Sequence, residues 1–527
     1  MSARMPALPL SRSLWSTIKL RLLALLTPAE PEPLDYVFGA DEVAALHGLD
    51  GGASVDAQTW SDLLMDDYAA RLSAGVSIFG RQVLHQRLRG ALAPEARAAL
   101  VTRLQALEQD GARGERLRDA LRCLRAADSE VATLLFGPSP EWASPAKLRY
   151  LRLLPLALVA SVAGAALSPA SWLATAAVMV ALISVQAGLS RVMQRWDRQV
   201  HALQMLLRAC TLLGAQDPAL ADLGARAGKL NRALSPSMLD AVPLLKPYRD
   251  WFLLANVHHY YRQRRLVGAH LPLLRACFLA AANGEADLAL GRHLRATTAV
   301  CWVNFDDQIA FDAVVHPLLD GAAPLSIALG ERGAFVSGQN GSGKSTLLRT
   351  LGLNLIVARA FGFCYARAAT VPDAPVYASM QGEDSLAKGE SLYIAELRRA
   401  RELLDAPMVS PRATYLIDEI FRGTNHLESV SVGAAVLHAL AARGRVVVAS
   451  HNLVLAPLLV EQLAPLYVRR RDGALSIEPG VLAETNGIAL LTGRGFGARI
   501  EADAARVHDW LGSYLAKPAD CGGVLRA

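Results

Sequence analysis

The stretch Gly338-Gln-Asn-Gly-Ser-Gly343-Lys344-Ser345 has the pattern G-x-x-x-x-G-K-[ST], which is typical of a phosphate-binding loop. The apolar run Ala334-Phe-Val-Ser337 before it predicts a strand, and the apolar spacing after it predicts a helix over Thr346–Ala360. Glycines let the backbone curl so that successive N–H groups and the helix N-terminus surround phosphate oxygens. The strand, the loop and the helix together therefore predict a nucleotide site.

Two side chains of this phosphate loop (residues 338–345) have separate expected roles. Lys344 is expected to reach the β- and γ-phosphates of ATP, and the Ser345 hydroxyl is expected to bind the Mg²⁺ that bridges them. The residues expected to contact the nucleotide are Gly338, Gln339, Asn340, Gly341, Ser342, Gly343, Lys344, Ser345 and Thr346.

A second part of the site is expected from Thr414-Tyr-Leu-Ile-Asp418-Glu419. A carboxylate at the end of a buried strand is costly unless a cation meets it, and a bound Mg²⁺ would provide that partner for Asp418. Glu419 would then lie beside the γ-phosphate, as the catalytic general base or as a group that orients the attacking water. His451 follows the predicted strand Arg445–Ala449 and is expected to sense the γ-phosphate, with a structural role as the alternative.

The strand pattern extends this prediction to a whole domain. Three short, apolar runs (residues 334–337, 414–417 and 445–449) are each followed by polar or glycine-rich residues and then by helical spacing. This alternation predicts a doubly wound α/β domain with a largely parallel sheet over residues 300–527.

The chain upstream of residue 300 is predicted to be all-helical. Its apolar residues recur at helical spacing, and strand patterns are absent. We expect an N-terminal amphipathic helix with a Pro-rich linker in residues 1–40, a helical core-like region in 41–147, and a helical core or lever region in 191–299. A membrane hairpin in residues 148–190 is expected to separate the two helical regions.

The membrane prediction depends on one uncharged stretch. Residues 153–190, 38 in all, contain no Asp, Glu, Lys or Arg, whereas one helical span needs about 20 residues. The turn signal Leu167-Ser-Pro-Ala-Ser171 divides it into two helices, about Leu148–Leu167 and Trp172–Ser190. Basic residues flank both ends, which predicts both termini and the ATPase domain in the cytoplasm and the hairpin in the inner membrane. The alternative is a buried helical hairpin in a large soluble domain.

Composition limits the remaining possibilities. The 527 residues are 52% hydrophobic and 19% charged, which excludes a disordered or collagen-like chain. The six cysteines lie far apart without a C-x-x-C pair, so neither a zinc site nor a disulfide framework is indicated, and a reducing compartment is expected. The net charge of +6 permits nucleic acid or an anionic membrane as a partner but does not require one.

Several of these motifs, in this order, resemble the MutS family of DNA mismatch-repair ATPases. Besides the phosphate loop they are Ala387-Lys-Gly-Glu-Ser391-Leu-Tyr-Ile-Ala-Glu396, Ile417-Asp-Glu-Ile-Phe-Arg-Gly-Thr424 and Ala449-Ser-His451. The family patterns are A-S-G-x-S-T-F-x-x-E, M-D-E-x-x-R-G-T and A-T-H. The resemblance covers residues 300–515, and a weaker one begins at Ser77-Ile-Phe-Gly80.

The resemblance implies an ATPase domain that dimerises and a chain that acts on DNA. It also implies that Ser391 of one subunit approaches the γ-phosphate held by the other, whereas the simpler reading is that Ser391 caps a helix. The chain shows no Phe-x-Glu element, which supplies the base-stacking wedge of the family, and Lys388 and Leu392-Tyr393 replace the usual Ser and Thr-Phe.

The sequence thus predicts a membrane-anchored, MutS-like ATPase whose nucleotide state drives a homodimer between conformations, with DNA as a plausible partner. The alternative is a membrane-tethered mechanical or signalling ATPase that acts on a protein or lipid partner without DNA. A transporter ATPase is a third class, but one hairpin provides no pathway, and the chain has no L-S-G-G-Q-like stretch.

Overall fold

The computed structural model describes residues 36–50, 55–138, 142, 151, 153–235, 246–380, 391–407, 412–471, 474–482 and 498–515. The predicted N-terminal amphipathic helix, the first part of Ala387–Glu396 and residues 483–497 lie outside these residues. Within them, helices come first in the chain, and strands begin only after residue 300.

The first thirteen α-helices form the helical part of the chain. They are α1 (Ala40–Asp50), α2 (Ala57–Asp62), α3 (Met65–Leu72), α4 (Ile78–Gly90), α5 (Pro94–Gln109), α6 (Gly111–Leu121), α7 (Ala132–Phe136), α8 (Leu153–Ala165), α9 (Ser171–Gln216), α10 (Ala221–Leu234), α11 (Lys246–Leu253), α12 (Ala255–Ala269) and α13 (Leu271–Ala296).

Strands and helices alternate after residue 300. The strands are β1 (Cys301–Trp302), β2 (Asn304–Phe305), β3 (Ile309–Val314), β4 (Leu325–Leu329), β5 (Gly333–Gly338), β6 (Phe363–Cys364), β7 (Ala368–Val371), β8 (Val376–Ser379), β9 (Thr414–Asp418), β10 (Arg445–Ala449), β11 (Leu463–Arg471) and β12 (Ala474–Pro479). The helices are α14 (Lys344–Phe361), α15 (Leu392–Asp405), α16 (His426–Arg443), α17 (Leu455–Leu458) and α18 (Ala498–Leu515).

The main sheet has six strands in the order β12-β11-β5-β10-β9-β8. All neighbouring pairs are parallel except β11 with β12, which agrees with the predicted largely parallel sheet. A four-stranded sheet, β2-β7-β3-β4, is mostly antiparallel and was not predicted. Its strands β3 and β4 precede the phosphate loop in the chain. The α/β region therefore contains both a largely parallel sheet and a mostly antiparallel one.

Both faces of the main sheet are covered. Phe335 of β5 packs with α15 and α16 on one face, whereas its neighbours Ala334 and Val336 belong to the core of α14 on the other face. Helix α14 also packs against α4 and α5, so it lies between the sheet and the helical part of the chain. A Cβ on Gly352 would come within 2.6 Å of both Leu416 and Leu63, which shows how closely α14 is enclosed. The phosphate loop is therefore joined directly to the helical region.

The helices of the uncharged stretch differ from the prediction. Among the described residues α9 is long and apolar enough to cross a membrane, whereas the 13 residues described as α8 extend about 20 Å, which is less than a full span. The predicted transmembrane hairpin is therefore not shown. Helix α9 also does not end at Ser190 but continues without a break to Gln216, because its apolar spacing continues into the core beyond the first arginines. The two helices pack against each other.

The helical body (α1–α7, α10, α12, α13 and the part of α9 after Ser190) contains buried charges that are paired within it. Asp287 of α13 accepts hydrogen bonds from Arg87 Nη1 at 2.8 Å and from Arg103 Nε at 2.7 Å. Glu285, also of α13, accepts bonds from the Ser77 and Gly80 N–H groups at 3.0 and 3.1 Å, at the start of α4. Helix α13 thus holds α4 and α5 in place through carboxylates as well as through apolar packing.

Candidate nucleotide-binding site

The phosphate loop joins the carboxyl end of the central strand β5 to the N-terminus of α14. Gly341 and Gly343 have positive φ angles of 75° and 97°, a region that side chains with a Cβ rarely adopt. A Cβ on Gly338 would lie 2.6 Å from Ser342 Oγ, so a larger residue would close the loop. The first N–H groups of a helix have no intrahelical acceptors, which leaves those of α14 available to phosphate oxygens.

Lys344 is the cation of this loop, and its side chain is folded back over it. Its Nζ donates to the carbonyl oxygens of Gly338 at 3.0 Å and Gln339 at 3.2 Å, and lies 3.3 Å from His451 Nε2. Burial lowers the pKa of Lys344, while the nearby carboxylates of Asp418 and Glu419 oppose that shift. A buried cation whose hydrogen bonds are to neutral groups has unused attraction for an anion.

Parallel strands bring the remaining candidate residues to the same edge of the sheet. Strand β10 lies between β5 and β9, and its Ala449 is in register with both Val336 and Asp418. Glu419 therefore follows β9 and His451 follows β10 close to the phosphate loop, with His451 Nε2 3.4 Å from Glu419 Oε1. Ligands of open α/β sheets bind at this carboxyl edge.

His451 links the two halves of the candidate site. It is half-exposed and contacts both Lys344 and Glu419. Burial and the Lys344 cation lower the pKa of His451, although Glu419 and Asp418 act in the opposite direction. A neutral imidazole at this position can accept or donate one hydrogen bond, depending on its tautomer. The structure thus brings Lys344, Glu419 and His451 together; their catalytic roles stay predictions.

The backbone after β9 is strained at the point where the chemistry is expected. Glu419 and Phe421 have positive φ angles of 54° and 56°, which are uncommon for residues other than glycine. The Glu419 N–H donates to Ala449 O at 2.8 Å, which ties this turn to the end of β10. Arg422 Nε lies 3.2 Å from Glu419 Oε2, so the carboxylate is held between an arginine and a histidine.

Ser391 caps α15 in this structure. Its Oγ accepts a hydrogen bond from the Ile394 N–H at 3.4 Å, which agrees with the simpler of its two predicted roles. Ser391 is exposed, so its hydroxyl is also on the surface that a second subunit could approach. The preceding residues 381–390, including Lys388 and Gly389, lie outside the described part of the chain.

Helix α15 is bonded to the turn that carries Glu419. The Glu396 carboxylate accepts hydrogen bonds from the N–H groups of Arg422 at 3.1 Å and Gly423 at 3.2 Å. A Cβ on Gly423 would lie 2.5 Å from the Tyr393 nitrogen, so only glycine permits this approach. Sequence reasoning assigned no role to Arg422, Gly423 or Glu396, although all three occur in the motifs quoted above. The contacts show that Glu396, in the first of these motifs, bonds to the backbone of Arg422 and Gly423 in the second.

The residues at the sheet edge fit a Mg²⁺ ion that arrives with a nucleotide. The described residues include no group of three or more His, Cys, Asp or Glu that could hold a metal ion by themselves. Ser345 and Asp418 offer two oxygen ligands, and protein-bound Mg²⁺ usually takes its others from water and substrate phosphates. The buried Ser342 Oγ has no hydrogen-bond partner among the described residues, as expected for a group that contacts a bound phosphate.

Comparisons with known proteins agree with this geometry. Residues 334–468 match the family model of MutS domain V. An endonuclease MutS2 of Thermus thermophilus is 35% identical over 164 residues, 30% of this chain and 21% of the relative. DNA mismatch repair proteins MutS of Granulibacter bethesdensis and Thermus aquaticus are 31% and 27% identical over 37% and 38% of this chain and 22% and 26% of their own lengths.

The matches cover only part of each protein. This chain spans about a quarter or less of the length of these curated relatives. The matched region contains nearly all of β5 together with α14, β9 and β10, and it includes every candidate catalytic and metal-binding residue. The region that builds the candidate site is therefore similar to domain V of MutS proteins.

Proposed function

We propose that this chain binds ATP with Mg²⁺ and hydrolyses it, as a MutS-like ATPase. The observation that carries the proposal is the convergence of Lys344, His451 and Glu419 within 3.4 Å contacts at the end of a phosphate loop. Charged groups brought together in a partly buried pocket are costly unless a ligand uses them. The family match of residues 334–468 supports the same conclusion.

Each side chain has a distinct task in this proposal. Lys344 exchanges its two carbonyl acceptors for β- and γ-phosphate oxygens. Glu419 takes up or orients the proton of the attacking water, and His451 donates to the oxygen on which charge develops. Ser345 and Asp418 would hold Mg²⁺, which when bound supplies positive charge to the phosphates. Arg422 holds the Glu419 carboxylate and so acts as a positioning residue.

Hydrolysis by the purified full chain is the test of this activity. We expect ATP turnover with Mg²⁺ and none when EDTA removes the metal, because the site offers too few ligands of its own to retain one. A chain that binds nucleotide equally well in EDTA, or that never hydrolyses ATP, would contradict the proposal.

The proposal includes a homodimer through the ATPase domain in which Ser391 completes the partner's site. The support is the exposed position of Ser391 and the Glu396 contacts that connect its helix to the turn of Glu419. If so, Ser391→Ala and Lys344→Ala chains should each be poorly active alone. A mixture should recover part of the activity, because one site of the mixed dimer has both residues. Absence of recovery, where unmodified chains dimerise, would leave Ser391 as a helix cap only.

Membrane anchoring through residues 148–190 is also a proposal. Its support is the exposure of large apolar side chains on α8 and α9: Val159 is 69% exposed, Leu173 77% and Val180 62%. Only 17% of the most apolar window of α9 is buried. Soluble proteins rarely expose continuous apolar surface of this extent. Carbonate extraction of cell membranes should leave the chain in the membrane pellet, and full release would contradict an integral anchor in the inner membrane.

DNA is the partner that the names of the relatives suggest, and we propose duplex DNA binding by this chain. A protein that contacts DNA phosphates releases counterions, so its affinity should fall steeply as salt is raised. Measurement with purified chain, with and without ATP, tests this. Binding that is absent at low salt would instead favour the second candidate, a membrane-tethered mechanical or signalling ATPase acting on a protein or lipid. The continuous helix α9, which enters the helical body from the apolar stretch, is the observation that favours such a mechanical role.

A further inference from the structure

Helix α11 displays an aromatic surface that the ATPase site does not use. Tyr248, Trp251 and Phe252 recur at the spacing of one helix face. All three are exposed, by 65%, 49% and 39% of their surfaces, and the adjacent Leu253 is 52% exposed. The rings of Tyr248 and Phe252 stack, with centroids 6.4 Å apart and planes inclined by 10°. Four large apolar side chains of this eight-residue helix are thus partly exposed, and Trp251 also lines a cavity beside α9.

The place of α11 in the fold is specific. It packs against both α8 and α9. A cavity of about 460 Å³ lies between it and α9, lined on the α9 side by Ile183, Gln186, Ala187 and Ser190. Helix α11 therefore lies beside the last turns of the uncharged stretch, which ends at Ser190 just before Arg191.

Hydrogen bonds of the amide side chains of Gln186 and Asn256 hold α11 beside the last turns of the uncharged stretch. Gln186 Nε2 donates to Asp250 O at 2.5 Å and to Asn256 Oδ1 at 3.1 Å, and Asn256 Nδ2 donates back to Gln186 Oε1 at 2.9 Å. Gln186 is one of few polar side chains in the uncharged stretch and is buried. An unpaired amide in an apolar environment is costly, so the pairing fixes α11 against α9.

We propose that α11 lies in the headgroup layer of the membrane, with Tyr248, Trp251 and Phe252 inserted among phospholipids. This inference rests on the proposed membrane anchor. Two independent features lie side by side along the axis of α9. One is the boundary between uncharged and charged residues at Ser190 and Arg191, and the other is the aromatic face of α11. Tryptophan and tyrosine are enriched at this layer because their rings are apolar and their polar atoms are wet.

This placement gives the helical body a fixed orientation on the membrane. Helix α11 leads through Leu254, which has a positive φ of 51°, directly into α12 of that body. The body would thus contact the membrane through α9 and through α11, at two points rather than one. Two contacts restrict rotation about the axis of α9, which a single spanning helix would leave free.

Tryptophan fluorescence tests the depth of α11. The full chain is reconstituted in vesicles of phosphatidylcholine and phosphatidylglycerol, with and without bromine atoms near the headgroup end of the acyl chains, which quench nearby tryptophans. The variant Trp251→Phe reports on α11, and Trp172→Phe, at the start of α9, reports on the anchor itself. Trp302→Phe, in the α/β region, is the matched control. We expect the fluorescence intensity that bromine removes to fall in the first two variants and to stay unchanged in the third.

The possible outcomes distinguish the headgroup position of α11 from the membrane anchor on which it rests. A fall for Trp172→Phe but not for Trp251→Phe would overturn the headgroup position of α11 and leave the anchor intact; the aromatic face would then serve a protein partner. No fall in either variant would overturn both the inference and the anchor. A fall for Trp251→Phe alone would support a surface contact through α11 while contradicting the spanning helix.

Discussion

Charges are buried in two regions of this molecule, and they are bonded differently. In the helical body, the Asp287 carboxylate meets two arginines, and Glu285 meets the N–H groups at the start of α4. At the sheet edge, Asp418 is buried without an ion pair to any described residue, and Ser342 Oγ has no partner. For these groups the cost of burial is met by protein partners in one region and left for a ligand in the other, although the helical body also has buried polar atoms without a partner among the described residues, such as Gln82 Oε1.

The difference indicates which polar groups serve stability and which serve function. Groups that satisfy one another hold the fold and should matter mainly to unfolding. Groups whose bonding is incomplete should matter mainly to ligand binding and catalysis. Four substitutions test this division, and each has a result that would break it.

The largest effect is expected for Glu419→Gln. The amide keeps the size of the carboxylate but cannot take up a proton, so ATP turnover should fall about 10²- to 10⁴-fold. Nucleotide binding and the denaturation midpoint should change little, because Glu419 takes no part in the ion pairs and hydrogen bonds that hold the helical body together. Steady-state hydrolysis and nucleotide affinity are the measurements. An unchanged turnover would show that another residue activates the water.

Asp287→Ala should have the opposite signature. Removal of one partner leaves Arg87 buried and uncompensated, which costs about 3–5 kcal/mol of unfolding free energy. The matched control is Asp222→Ala, whose exposed contact with Arg226 at 3.5 Å should contribute less than about 1 kcal/mol. Denaturant midpoints of both variants in detergent give the comparison. Equal midpoints would mean that the buried pair is not what holds α13 to α4.

Lys344→Ala should weaken nucleotide binding. Loss of a charged hydrogen bond to phosphate costs about 1.5–3 kcal/mol, or about 10- to 100-fold in affinity. The stability of the folded chain should change little, since the hydrogen bonds of the lysine are to two carbonyl groups of its own loop and to the half-exposed His451. The exposed Lys229→Ala variant is the control. If Lys344→Ala lowered the denaturation midpoint as much as Asp287→Ala does, the distinction between the two regions would fail.

The smallest effect concerns His293, which joins the two regions. Its Nε2 lies 2.7 Å from Tyr365 Oη, which is 2.7 Å from Tyr68 Oη, so the chain of bonds crosses from α13 to the α/β region and back to α3. Burial, aided by Arg71 and Arg292, lowers the pKa of His293 to about 4 from 6.5. Between these values the unfolded chain binds more protons than the folded one, so stability falls as pH is lowered from 6.5 to 4.

His293→Gln removes this titration while keeping a polar group toward Tyr365. The decline of the denaturation midpoint between pH 6.5 and 4 should become shallower, although His85 and His316, with pKa values also lowered to about 4 by burial, continue to contribute. His201→Gln, at an exposed position, is the control. An identical decline in the His293→Gln variant would show that His293 does not couple the regions in a protonation-dependent way.

Much of the candidate site was predictable because its chemistry is local in sequence. A phosphate loop needs glycines and a lysine at set spacing, and a buried strand needs a short β-branched run, so β5, β9 and β10 were expected at residues 334–337, 414–417 and 445–449. The order of the strands was not predictable, since register between distant strands depends on packing. The four-stranded sheet was not predicted, although β4 (Leu325–Leu329) alternates buried and exposed residues as a strand should. Strands β2 and β7 of the same sheet have only two and four residues and give little signal.

The uncharged stretch shows the limit of composition most clearly. Helix α13 is also largely apolar, yet it is enclosed by α4, α5 and α9, while the first half of α9 exposes its apolar side chains. Sequence alone determined that both are helices, because apolar spacing is a property of one segment. Whether neighbours cover such a helix is a property of the whole fold.

The difference between a property of one segment and a property of the whole fold also applies to the residues of the motifs. The sequence by itself determined the phosphate loop and the strand ends, since these depend on residues adjacent in the chain. Only the tertiary structure decided that Glu396 bonds to the turn of Gly423, that Arg422 holds Glu419, and that Gln186 ties α11 to α9. These contacts join residues far apart in sequence, where side-chain type is compatible with many partners and close packing selects one.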